Sequence, residues 1–152
     1  QLERYADDEA AAQGLVERCI ATQNDCAERA LSALTLVYLD AGQIDKARAA
    51  MAQRVAITPE WNRDSRFAIA YTRLAIAEGR AAEAIELIRR VLAESPAQPP
   101  DSPARAEHLY WLGQVLVASG DASGKAMVAQ ARRVLAASPL ATHRRLAACA
   151  TP

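Results

Sequence analysis

Leu112-Gly113-Gln114-Val115-Leu116-Val117-Ala118-Ser119-Gly120 is a helical stretch that closes on a glycine, and its frame occurs twice more along the chain. Leu34-Thr35 stands eight and seven residues before Gly42, and Tyr71-Thr72 stands eight and seven residues before Gly79. Each frame sets a large apolar or aromatic residue beside a small one and then stops. After each glycine a second helical stretch runs to a proline, at Pro59, Pro96 and Pro139. The two-helix unit therefore recurs every 37 to 43 residues, a period that predicts a helical solenoid. Such units bury their apolar faces against their neighbours and leave an extended surface for binding. The expectation is a scaffold rather than an enzyme.

Composition agrees with stacked helices. Alanine supplies 36 of the 152 residues and Phe, Trp and Tyr together supply 7, which favours helices that approach closely on small side chains. The length suits one domain over residues 1–152. The 18 basic and 18 acidic side chains cancel, so no global field points to nucleic acid. Locally they do not cancel. Residues 1–28 hold seven acids against Arg4 and Arg18, whereas residues 122–152 hold Lys125, Arg132, Arg133, Arg144 and Arg145 with no acid. Either each end is a solvated face, or the ends support self-association or an acidic partner. No apolar run approaches the ~20 residues of a membrane span, and no signal segment opens the chain. The chain begins at Gln1 with a helix that lacks a partner, which reads as part of a longer protein.

Working outward, residues 3–21 read as a helix with Ala12, Leu15 and Cys19 on one stripe, and Asp25 with Glu28 has the form of a capping box. A helix from Cys26 to Asp40 and a partner from Asp45 to Ile57 follow, the second with Ile44, Ala47, Met51 and Val55 inward. The next pair spans residues 64–78, with Phe67, Tyr71 and Leu74, and 81–94, with Ala84, Ile85, Ile88 and Leu92. Ser102-Pro103 caps and opens a third pair, whose second helix is read as longer or loosely started around Gly124. Ser138-Pro139 repeats that signal and opens a last short helix over residues 139–149, through Leu140, Leu146 and Cys149.

These residues resemble the tetratricopeptide repeat family, whose units are helix hairpins with a small residue between large ones, a glycine-containing turn, an alanine in the second helix and a terminal proline. The resemblance covers residues 26–59, 64–96 and 103–139, with residues 3–21 and 139–149 as extra helices. Leu112, Gly113, Gly120 and Pro139 carry it in the third repeat, Gly42, Ala47, Met51 and Pro59 in the first, and Gly79, Ala84, Ile88 and Pro96 in the second. The family's tryptophan is replaced by Leu31, Ala68 and Leu109. It implies an all-α superhelix of about three hairpins, whose first helices line a concave groove for a peptide or protein partner. Carried over, the groove residues are Arg29, Ser32, Leu36, Arg66, Ile69, Arg73, Tyr110 and Gln114. Arginines and a tyrosine suit an acidic or C-terminal peptide, the alternative being arginines that are only solvated. The alanine- and arginine-rich style and the closing segment Ser138 to Leu146 are also similar to the C-terminal repeat regions of bacterial transmembrane serine/threonine kinases, although no kinase motif lies in this chain.

Little in the sequence points to chemistry, and no cofactor or metal is expected. His108 and His143 lack a second histidine or cysteine at metal-ligand spacing, and His108 beside Glu107 is expected at the surface. Gly120-Asp121-Ala122-Ser123-Gly124-Lys125 is one residue short of a phosphate loop, and Ala126 replaces the Mg-binding hydroxyl. No serine sits in a Gly-x-Ser-x-Gly turn. Cys19 and Cys26 flank the first interhelical turn almost symmetrically, which permits a disulfide and equally suits two buried thiols. A bond there implies an oxidising compartment with Cys149 as the odd thiol. The expected role is a non-catalytic interaction or sensory module of a bacterial signalling protein, as the periplasmic part of a receptor kinase. The alternatives are a cytoplasmic location and a structural scaffold that self-associates or bridges subunits.

Overall fold

The protein's structure, a computed structural model, describes residues 2–21, 26–57, 65–94 and 99–148. Expectations that fall on Asp25, Pro59, Pro96 and Cys149 lie outside the described residues. Every regular element described is an α-helix: α1 Leu2–Ala21, α2 Cys26–Asp40, α3 Ile44–Ile57, α4 Ser65–Ala77, α5 Ala81–Glu94, α6 Pro103–Ala118, α7 Ser123–Ala136 and α8 Ala141–Ala148. The chain is all-α, compatible with an α-α superhelix. It divides into two compact units, Gln1–Ala77 with α1 to α4 and Glu78–Pro152 with α5 to α8.

The stops act through the backbone. Gly42, Gly79 and Gly120 have φ of 71°, 73° and 85°, a left-handed conformation that a side chain would strain. At Gly42 the amide donates to the Leu39 carbonyl and the next amide, Gln43, to Tyr38. At Gly120 the same pair of bonds runs to Val117 and from Asp121 to Leu116. Both are Schellman closures, which satisfy carbonyls that a helix end leaves open. At the other end of α6, Ser102 Oγ accepts from the Arg105 amide at 3.1 Å and Pro103 occupies the first turn.

In the first unit α2 packs on α1, α3 and α4. Its buried face is Ala27, Ala30, Leu31, Leu34, Thr35 and Tyr38, met by Ala47, Ala50 and Met51 of α3 and by Phe67, Ala68 and Leu74 of α4. Two expected core positions are corrected. Leu15 is 42% exposed and Val16 takes its place beside Cys19; Val55 is 41% exposed and Arg54 points inward instead. In each case the buried stripe is rotated by one residue, because Ala47, Ala50, Met51 and Arg54 keep the i, i+3, i+4, i+7 spacing that Val55 breaks.

In the second unit α6 is the central element, packed on α5 and α7, with α8 on α7. Ala106, Tyr110, Val128, Ala131, Leu135 and Ala147 form one apolar cluster, edged by Leu109, Trp111, Val134 and Leu146. Gly113 and Gly124 let α6 and α7 approach closely. A β-carbon on Gly113 would lie 2.6 Å from Val128 Cγ2 and 2.8 Å from the Gly124 carbonyl oxygen. The α7 helix is 14 residues long, as are α3 and α5, so of the two expectations, a longer or a loosely started helix, the longer one is corrected. The extra residues lie in the turns before and after it. The last helix also starts later than expected: Pro139 precedes it, Leu140 is 55% exposed, and Ser138 Oγ accepts from the Leu140 amide at 3.2 Å.

Candidate functional site

The structure divides the expected groove residues. Arg29 and Arg66 are exposed, Leu36 is half-buried, and all three lie on α2 and α4, which pack side by side in the first unit. Ser32, Ile69, Tyr110 and Gln114 are buried, which corrects their assignment to a partner-contacting surface. Ser32 Oγ donates to the Glu28 carbonyl at 3.0 Å within its own helix. Tyr110 belongs to the apolar cluster of the second unit and meets Trp111 edge-on at 5.2 Å between ring centroids. Arg73 is held by Asp40, Nη2 to Oδ1 at 2.5 Å, which ties α4 to the end of α2 and neutralises the guanidinium.

Beneath this face lies a buried cation that sequence reasoning missed. Arg54 is 1% exposed, with Nη2 3.3 Å from Glu28 Oε2 and its guanidinium carbon 4.6 Å from the Phe67 ring centre. One residue of α3 thereby engages α2 through charge and α4 through the ring face. Its signal was available, since Arg54 lies seven residues beyond Ala47 on the buried stripe.

A second cluster joins α6, α8 and the segment before α8. Ser138 Oγ lies 2.8 Å from His143 Nδ1, and His143 Nε2 lies 3.7 Å from Glu107 Oε2. The residue types are those of a hydrolytic triad, but the serine is buried and its oxygen already accepts the Leu140 amide. A nucleophile needs a free face toward substrate. The same contacts serve as a latch on α8, reinforced by Arg144 donating to the Ser138 and Pro139 carbonyls and Arg132 to the Ala147 carbonyl. His108, expected at the surface, is buried.

At the other end of the chain Cys19 and Cys26 form a disulfide with α-carbons 5.5 Å apart, joining α1 to α2. Two further ties fix α1: Gln13 Nε2 donates to Tyr38 Oη at 2.8 Å and Lys46 Nζ to Glu9 at 2.9 Å. The bond to Glu9 raises the Lys46 pKa above the usual lysine value. At the turn once compared with a phosphate loop, Asp121 Oδ1 accepts the Ser123 amide at 2.9 Å. Hydrogen bonding from Ser123, through its side chain first and its amide second, holds the Asp121 carboxyl below its ordinary pKa, and the helix end is met by the protein's own carboxylate.

Among the described residues no three His, Cys, Asp or Glu side chains are grouped to hold a metal ion, and no helix is long and apolar enough to cross a membrane. No protein-family model, curated protein or solved structure matches the chain.

Proposed function

We propose that this chain is a tetratricopeptide-like interaction or sensory module, without catalysis of its own, that binds an acidic peptide or protein segment on the α2–α4 face of its first unit. The observation that supports it most is the pairing on that face of exposed Arg29 and Arg66 with half-buried Leu36. Two guanidinium forks can grip carboxylates, and the leucine supplies apolar area beside them. Arg54 underneath fixes the helices that carry them, so the surface is preorganised. We assign the module to the extracytoplasmic part of a bacterial signalling protein. Its support is the Cys19–Cys26 disulfide, a bond that persists in oxidising compartments, together with the resemblance of its closing segment to receptor-kinase repeat regions.

Selection from a random peptide display library tests the reading. Enriched sequences should be acidic around an apolar residue and should bind the purified chain in titration. Enrichment of basic sequences, or none above background, would refute it.

A further inference from the structure

We infer that copies of this chain associate, the exposed face of α1 in one copy docking on the basic α7–α8 surface of another. The inference is independent of the peptide surface on α2 and α4.

The acidic face is left open by the way α1 packs. Among the described side chains of α1, Val16 and Cys19 are buried, while Asp7, Asp8, Ala10, Ala11, Leu15 and Glu17 stand exposed along the helix. Glu9 is engaged by Lys46, so the acids that remain outward are Asp7, Asp8 and Glu17, against Arg18. Alanines and one leucine between the carboxylates allow another helix to approach within ordinary packing distance.

The α7–α8 surface is basic in a way that the contacts of Arg132 and Arg144 do not cancel. Arg132 donates to the Ala147 carbonyl at 2.5 Å, and Arg144 donates to the Ser138 and Pro139 carbonyls at 2.9 and 2.6 Å. A carbonyl orients a guanidinium but leaves its charge whole. Lys125 and Arg133 are exposed on α7, Leu140 is exposed just before α8, and residues 122–152 contain no acid. The α1 face is therefore acidic on balance, Asp7, Asp8 and Glu17 against Arg18, and the α7–α8 surface is basic on balance.

The partner that carries the complementary face at matching concentration is a second copy. Because the two faces are different surfaces, the contact is heterologous. One helix face presents a few hundred Å², roughly, against ~800 Å² per partner in a stable complex. The association is accordingly weak, and it is salt-sensitive because exposed charges are screened within ~10 Å at 0.1 M salt.

Sedimentation of the whole chain over a concentration series tests this, in low salt (about 0.02 M) and high salt (about 0.5 M). Two variants block one end each: Asp7→Asn with Asp8→Asn and Glu17→Gln, and Lys125→Gln with Arg133→Gln. These positions are exposed, and circular dichroism checks that helix content is kept. In low salt the unaltered chain should grow in mass with concentration and return to monomer in high salt. Each blocked variant alone should associate at least tenfold more weakly, and an equimolar mixture of the two should form a pair and nothing larger. A monomer throughout, or undiminished association of the Lys125→Gln/Arg133→Gln variant on its own, would overturn the proposal.

Discussion

Arg54 makes the interior of the first unit depend on a single guanidinium, which touches the Glu28 carboxylate and the Phe67 ring at once. Breaking a buried pair by removing one member costs about 3–5 kcal/mol; the partly exposed Glu28 brings the expected loss for Arg54→Ala to the lower end, about 3 kcal/mol. Glu28→Gln, which keeps a hydrogen-bonding oxygen, should cost less. Urea denaturation followed by helical dichroism measures both, and a loss for Arg54→Ala under about 1 kcal/mol would contradict the role given to it. Gly113 tests the second unit in the same way. Alanine is about 1 kcal/mol better than glycine inside a helix, but its methyl group would meet Val128 and the Gly124 carbonyl. Overpacking costs about 1–3 kcal/mol and a backbone oxygen cannot step aside, so Gly113→Ala should destabilise; a gain in stability would show that the two helices separate freely.

The disulfide governs the element it anchors. α1 packs along α2, where Val16 and Cys19 are buried and Gln13 and Glu9 tie it to Tyr38 and Lys46. Closing the short loop between Cys19 and Cys26 should contribute about 2 kcal/mol. Reduction should therefore speed hydrogen exchange along α1 and leave α6 and α7 unchanged; equal protection of α1 before and after would contradict this. Element positions were legible in the sequence because glycine and proline act locally: Gly42, Gly79 and Gly120 all adopt positive φ where the repeat places them. Rotation about the helix axis was less legible. Leu15 and Val16, or Arg54 and Val55, differ by a 100° turn, and hydrophobicity favours the wrong member when Glu28 and Phe67, on other helices, compensate the charge of Arg54. The same distance in sequence hid the meeting of Glu107, Ser138 and His143. Tyr110 and Gln114 were misplaced for a related reason: a groove position inferred from a repeat frame assumes an open side, and α6 is enclosed nearly all round.

At the scale of the whole molecule, the account has two surfaces with separate tasks: α2 and α4 for an acidic segment, and the two charged ends for contacts between copies. Arg29 and Arg66, both exposed, carry the first, whereas Arg73 is half-buried against Asp40, so Arg73→Ala should alter binding little compared with loss of the other two. Charged groups at an interface centre cost about 2 kcal/mol or more when truncated, which is about 30-fold in affinity. The most direct measurement is a calorimetric titration of an acidic peptide taken from the display selection, in salt high enough to keep the chain monomeric. It compares the unaltered chain with Arg29→Ala/Arg66→Ala and with Arg133→Ala. The account predicts at least about a 30-fold loss for the double variant and unchanged affinity for Arg133→Ala. Equal affinities across all three, or a loss confined to Arg133→Ala, would contradict it.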